Sequence, residues 1–204
     1  GFAKSTEINY WVGTLVHSAL LVPFHSWRIT HKKHHANTGS CEHDEVFAPA
    51  TRSDFLPHEL RETPIAQAVG IIIMLTVGWI PGYLVMNFSG PKKYKGKNAN
   101  HFSSDAVFFD EEDRELVVSS VNWWIAAFSA VVYAGYTYGF RNLAFYYLIP
   151  YFITNYHLVL ITYLQHTDVY MPHFRDEEWD FLRGALCTVD RSFGPLLDHT
   201  FHHI

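Results

Sequence analysis

Cysteine is scarce in this sequence: its 204 residues contain only Cys41 and Cys187. The two lie far apart and form no CxxC pattern, so neither a disulfide framework nor a zinc knuckle is expected. A reduced, cytosol-facing environment is the simpler interpretation.

An excess of basic residues is also lacking. The 15 Lys and Arg against 20 Asp and Glu give a formal net charge of −5, which excludes the basic surface typical of nucleic-acid binding. Only 17% of the residues are charged, and they lie in a few blocks, whereas aromatic residues make up another 17%. This combination favours a membrane protein in which apolar and polar segments alternate.

Features of natural termini are missing as well. The sequence begins with Gly rather than Met, no signal-peptide pattern follows, and it stops at Ile204 directly after a histidine pair. We therefore expect an internal fragment, whose residues 1–204 form one partial domain.

Four apolar segments are present. Residues 121–139 and 143–164 are separated by a very short connection, which predicts an antiparallel helical hairpin. Residues 66–88 are interrupted by Gly and Pro, and residues 8–24 are at the short limit for a bilayer span, as expected of a helix in the interface. The predicted fold class is all-α: an integral membrane helical bundle with a cytosolic, histidine-rich metal-binding cap.

The most informative motif is His31-Lys32-Lys33-His34-His35. In a helix, His31 lies one turn from both His34 and His35, so three imidazoles gather on one side. With 14 histidines in the chain, roughly 0.06 occurrences of HxxHH are expected by chance. Since imidazole binds iron, copper and zinc, the motif predicts half of a metal site. The same spacing recurs at His199, His202 and His203.

Carboxylates follow this motif closely, at Glu42, Asp44 and Glu45. They either hold the imidazole tautomers of metal ligands or are solvated loop charges, and the sequence leaves both interpretations open.

One further histidine, His166, stands where the segment 143–164 ends. A lone histidine is more often a structural residue than a ligand, so spacing alone does not decide its role. Three full crossings between His35 and His166 would place these residues on opposite faces of the membrane. If they share a site, one segment does not cross, and we predict that 66–88 is peripheral or re-entrant.

At these residues the chain resembles the membrane-bound fatty acid desaturases, most closely the microsomal Δ12 (oleate) type. The resemblance covers nearly the whole chain and is most specific in four stretches: HSALLVPFHSWRITHKKHHANTGSCEHDEVFAP, NFSGP, ITYLQHTD and EWDFLRGALCTVDRSFG. Of the three histidine boxes that mark the family, only the second is expected here. The first normally stands upstream of Gly1 and the third follows Ile204, so residues 1–204 alone are expected to be inactive.

The resemblance implies two iron ions, with O₂ as co-substrate. It implies His31, His34, His35 and His166 as metal ligands and no catalytic residue beyond them. It also implies that His199, His202 and His203 only imitate the third box and are not ligands.

The implied reaction is the introduction of a cis double bond into a lipid-linked acyl chain, with oleoyl-phosphatidylcholine as the expected substrate. Cytochrome b5 and its reductase are the expected electron donors, in the endoplasmic reticulum membrane with the histidines facing the cytosol. A plastid membrane with ferredoxin is the lesser alternative. An ω-3 (Δ15) desaturase and a divergent hydroxylase, epoxygenase or conjugase share this plan and stay open.

A histidine-rich membrane metal transporter or haem protein is the alternative from another class. A transporter should carry its ligands near the middle of its spans. Only His17 and His157 lie within apolar segments, so the sequence favours the desaturase.

Overall fold

The computed structural model describes residues 2–48 and 63–201. In these ranges the chain is helical and has no strand; the only β-type pairing is an isolated bridge between Ser40 and Phe174. The predicted all-α class is confirmed. The α-helices are, in chain order, α1 Thr6–Ala19, α2 Phe24–Asn37, α3 Pro64–Val77, α4 Arg114–Tyr138, α5 Phe140–Leu143, α6 Ile149–His166, α7 Phe181–Ala185 and α8 Pro195–Phe201.

Two π-helical segments interrupt or extend these helices. Gly78–Val85 continues α3 and contains Pro81, which cannot donate an intrahelical hydrogen bond. Ala144–Leu148 joins α5 to α6. Segments of this kind are common at functional sites, and the first of them lines the cavity described below.

The helix ends follow local sequence signals. The Thr63 side chain accepts a hydrogen bond from Ala66 N–H and Pro64 opens α3, as expected of a capped start. The segment 8–24 is not one helix, because α1 ends at Ala19 and Leu21 takes a positive φ of 51° before α2 begins.

Long apolar helices dominate the part of the chain that the structure describes. Pro64–Val85, Glu111–Tyr138 and Phe140–His166 are long and apolar enough to cross a membrane, judged by length and composition. The last two form the predicted hairpin, but its turn lies at Gly139 rather than at 140–142, since φ is 84° there and Phe140 is already helical. A positive φ of this size favours glycine.

Residues on either side of the segment 66–88 meet at one end of the bundle. Ala48 N–H donates to Ser89 O at 2.7 Å, and the Tyr94 hydroxyl donates to Glu45 at 2.7 Å. The chain is therefore at this end of the bundle at residues 45–48 and again at residues 89–94. That the segment is peripheral or re-entrant stays a prediction, because Pro64–Val85 also has the length of a span.

Helix α2 is the centre of the fold and packs against α1, α4 and α7. Its first turn is fixed by His25 N–H, which donates to Ser120 Oγ on α4 at 2.7 Å. Its last turn is covered by the segment after α6, where Trp179 Nε1 donates to Thr38 O at 3.1 Å. The helix that carries the histidine motif is thus held at both ends.

Candidate metal centre

The motif in α2 does form a single cluster. The His31 ring centroid lies 4.5 Å from that of His35 and 5.9 Å from that of His34, as the one-turn spacing predicts. Trp27, one turn earlier, stacks on His31 with 4.4 Å between the ring centroids. Lys33 points elsewhere, since its Nζ donates to Phe108 O at 2.7 Å.

A carboxylate holds the central histidine. His34 Nδ1 donates to Asp44 Oδ1 at 2.6 Å, and both side chains are almost fully buried. The same oxygen accepts the N–H groups of Val46 and Phe47 at 2.9 and 3.0 Å, so the carboxylate itself cannot turn. Because Nδ1 carries the proton, His34 Nε2 keeps its lone pair for a metal ion.

Of the three carboxylates that the sequence offered, only Asp44 contacts the histidine cluster. Glu45 instead accepts from Tyr94 and lies 3.8 Å from Lys93, and burial raises its pKa. Glu42 forms an ion pair with Arg175. Sequence spacing could place all three near the turn but could not select among them.

The separate histidine at the end of α6 joins the cluster. The His166 ring centroid lies 4.9 Å from that of His34, and only 9% of the residue is exposed. Phe47 stacks on its other side, with 5.8 Å between the centroids. The structure therefore brings together all four residues that were predicted as ligands, although His35 and His166 are 131 positions apart in the sequence.

His31 and His35 lie on the more open side of the cluster. Their Nε2 atoms are 3.0 Å apart. Burial, followed by the neighbouring His35 and His34, lowers the pKa of His31 to about 4. This imidazole is therefore neutral at pH 7, which is the protonation state that binds metal ions.

These donors fit a transition-metal ion in part. At a metal–nitrogen distance of about 2.1 Å, two ligands at right angles are about 3.0 Å apart, which matches the spacing of the His31 and His35 nitrogens. Within residues 2–48 and 63–201, however, no group of three or more His, Cys, Asp or Glu side chains is close enough to hold an ion unaided. The spacing of His31 and His35 thus fits two ligands of a larger set.

A large cavity opens beside the histidines. Its volume is about 1160 Å³, above the range of roughly 300–1,000 Å³ for small-molecule pockets. Apart from the four histidines, its walls are mainly apolar and come from α3, the following π-helical segment and α6. Its lining includes Trp27, Ile73, Met74, Val77, Trp79, Tyr83, Leu158 and Val159.

Sequence reasoning missed the network behind this wall. Thr30 Oγ1, one residue before the motif, contacts both Tyr83 OH and His101 Nε2 at 3.0 Å. His101 is fully buried and its Nδ1 donates to Leu84 O at 3.2 Å. The network ties the π-helical segment to α2. Its members are 53 and 71 positions from Thr30, so no local pattern indicated it.

The remaining histidines of interest lie elsewhere. His157 Nδ1 donates to Ile153 O and His17 Nδ1 to Gly13 O, each within its own helix at 2.8 Å. His199 is exposed on α8, while His202 and His203 lie outside the described residues. Cys41 and Cys187 are both free thiols.

Comparison with known proteins places this sequence in a family. The family model of the fatty acid desaturases matches residues 1–204. The chain is 43% identical to a Δ(12) fatty acid desaturase of Mortierella isabellina, with all of this chain and 54% of the relative covered. It is 42% identical to an endoplasmic reticulum omega-6 fatty acid desaturase of Brassica juncea, with all of this chain and 52% of that relative covered.

An oleate hydroxylase of Claviceps purpurea is 37% identical over all of this chain and 47% of its own length. The chain thus spans about half the length of the curated relatives it matches. No solved structure matches it. Since the family model covers every residue, the chain belongs to the fatty acid desaturase family.

Proposed function

We propose that the full-length protein is a di-iron Δ12 desaturase that converts oleoyl to linoleoyl chains on a membrane phospholipid, most simply phosphatidylcholine. The observation that carries the proposal is the position of the four histidines on the wall of one apolar cavity. A metal centre that meets an apolar cavity is what oxidation of an unactivated acyl chain requires.

The proposed reaction balances with two electrons and two protons supplied from outside. An acyl –CH₂–CH₂– group, O₂, two electrons and two protons give –CH=CH– and two water molecules. Two iron ions would supply the activation of O₂. His31, His34, His35 and His166 would hold them, together with histidines from outside residues 1–204.

Other residues of the chain orient the proposed ligands or enclose the substrate. Asp44 keeps the proton on His34 Nδ1, so that Nε2 faces the metal side. The apolar walls from α3 and α6, among them Met74 and Val159, bind the acyl chain through the hydrophobic effect and exclude water from it. Trp27 stacks on His31 and limits the rotation of that ring within the cavity wall.

The same proposal covers location and partners. We place the protein in the endoplasmic reticulum membrane with the histidines on the cytosolic face, and we assign cytochrome b5 and its reductase as electron donors. The Ala48–Ser89 hydrogen bond supports a segment 66–88 that leaves and re-enters at that face. The Brassica relative bears the endoplasmic reticulum in its name.

Product analysis tests the proposal. The full-length protein is expressed in a yeast that makes oleate but no linoleate, and its fatty acids are separated by gas chromatography. We expect linoleate. A trienoic product formed only from fed linoleate would move the assignment to an ω-3 desaturase, and a hydroxylated oleate would move it to the activity named for the Claviceps relative. Absence of any new fatty acid, with iron bound, would contradict the proposal.

A further inference from the structure

The C-terminal end of α6 carries His166 as its last residue. The final carbonyl groups of a helix have no partners within it and must find them elsewhere. Here the backbone turns to an extended conformation at Thr167, with φ −125° and ψ 112°, so the helix cannot continue. The position of His166 therefore depends on what binds these carbonyls.

One arginine binds a carbonyl of the last turn and the carbonyl of the residue that follows the helix. Arg191 Nε donates to Leu164 O at 2.9 Å, and one of its terminal nitrogens donates to Thr167 O at 3.1 Å. The same nitrogen forms an ion pair with Asp168 at 2.6 Å. Two residues earlier, Val189 N–H donates to Gln165 O at 2.8 Å. The hydrogen bonds of this one side chain thus flank His166 on both sides.

The arrangement suits arginine and not lysine. A guanidinium group presents its donors in a rigid planar fork, whereas an ammonium group is a single point on a flexible stem. The two carbonyls and the carboxylate contact two of the three guanidinium nitrogens. The ion pair is about one-third exposed, so its charge alone adds little to stability, and the fixed geometry is the larger contribution.

Anchoring of the tail does not explain the contact. The segment after α6 is already held to the end of α2 by the Trp179 hydrogen bond to Thr38 O. It is also held to the loop after α2, by the Arg175–Glu42 ion pair and the backbone pairing of Cys41 with Phe174. Loss of Arg191 leaves all of these bonds in place. Its effect should therefore be confined to the last turn of α6.

We propose that Arg191 is a positioning residue for the metal centre, holding the end of α6 so that the His166 ring stays beside His34. The inference rests on the proposed role of His166 as an iron ligand. Without Arg191 the last turn of the helix frays, and His166 loses its fixed place 4.9 Å from the His34 ring.

The test uses Arg191→Ala and Arg191→Lys in the full-length protein, with Arg183→Ala as the matched control. Arg183 lies on the same tail but bonds only locally, to Asp180 at 3.1 Å and to Glu178 O at 2.7 Å. Protein abundance, bound iron, the spectrum of the iron centre and turnover per bound iron are measured. Loss of a group that orients a ligand typically lowers metal affinity or activity by roughly 10- to 100-fold.

We expect Arg191→Ala to lower bound iron or turnover by roughly 10- to 100-fold and to alter the iron spectrum. Arg191→Lys should recover part of this loss, and Arg183→Ala should resemble the wild type. If Arg191→Ala does not fold, Arg191→Lys decides, because it keeps the charge and loses only the fork. Lower abundance with an unchanged spectrum and turnover would overturn the inference. A His166→Ala variant in the same series separates the two proposals: if it keeps iron and turnover, the ligand role of His166 fails; if it loses both while Arg191→Ala keeps them, only the positioning role fails.

Discussion

The histidine cluster formed by α2 and the end of α6 has two unlike sides. On the buried side, His34 and His166 are 3% and 9% exposed, and a carboxylate and a helix end fix their positions. On the open side, the His31 and His35 nitrogens contact each other at 3.0 Å. The fold thus presets one half of the proposed metal site, whereas an ion bound by His31 and His35 would have to replace their mutual contact in the other half.

Removal of a proposed ligand histidine from either half should abolish turnover, but the two halves should differ in their effect on folding. We expect His31→Ala, His34→Ala, His35→Ala and His166→Ala each to abolish turnover in the full-length protein. His34→Ala should also lower the amount of folded protein, because it leaves the buried Asp44 carboxylate without its imidazole partner. Fluorescence-detected size exclusion, bound iron and turnover per protein measure these effects.

His157→Ala is the control for this series, since its ring bonds only to its own helix. His199→Ala and His203→Ala should also be milder, because neither is proposed as a ligand. Full turnover in His31→Ala or His35→Ala would show that the open half is not part of the metal site.

Asp44→Asn tests what presets the buried half. The amide keeps the size of the carboxylate and its oxygen can still accept the Val46 and Phe47 N–H groups, so the loop should survive. It loses the charge that favours a proton on His34 Nδ1. We expect turnover or iron affinity to fall by roughly 10- to 100-fold, the range for groups that orient metal ligands.

Glu45→Gln is the matched control for Asp44. Glu45 is the next residue and is also buried, but it contacts Tyr94 rather than a histidine. Its replacement should leave the iron content unchanged. Equal losses in the two variants would mean that the loop, and not the Asp44–His34 contact, matters to the site.

The difference between the two halves also explains what the sequence could reveal. The HxxHH cluster was predictable because its geometry is that of one helical turn. Local rules also apply at Gly139, where a helix ends, and at Pro64, where a helix begins. The position of His166 depends on tertiary packing, so its role came only from the family resemblance. Asp44 could be named as a candidate but not chosen over Glu42 or Glu45.

Contacts across long stretches of sequence were beyond prediction. Arg191 binds carbonyls that lie 24 and 27 positions away, and a charged residue in a polar tail gives no sign of such a partner. The hydrophobic pattern identified the apolar helices but not the break after Ala19, because a positive φ at a leucine is unfavourable locally and is held by its surroundings.

The last expected effect concerns the support behind α2, where His101 accepts from Thr30 and donates to Leu84 O. Burial, only partly offset by the Leu84 hydrogen bond, lowers the pKa of His101 to about 4. An unfolded histidine titrates near 6.5, so between these values the unfolded chain binds a proton that the folded chain does not. His101 therefore contributes fully to stability above about pH 6.5, and this contribution falls as the pH drops towards 4, by about 3 kcal/mol in all.

Thermal unfolding of the full-length protein at pH 7 and pH 5 measures this contribution. His101→Gln should be less stable than the wild type at pH 7 but should lose less stability on acidification, by about 2 kcal/mol. His43→Gln, in which a half-exposed imidazole that pairs with Asp176 is lost, controls for the removal of a histidine as such. The proposed iron ligands are common to all three proteins, so their contribution cancels in the comparison. Parallel loss of stability in the wild type and His101→Gln would show that His101 is not protonated on unfolding in this range, and that the support behind α2 is independent of pH.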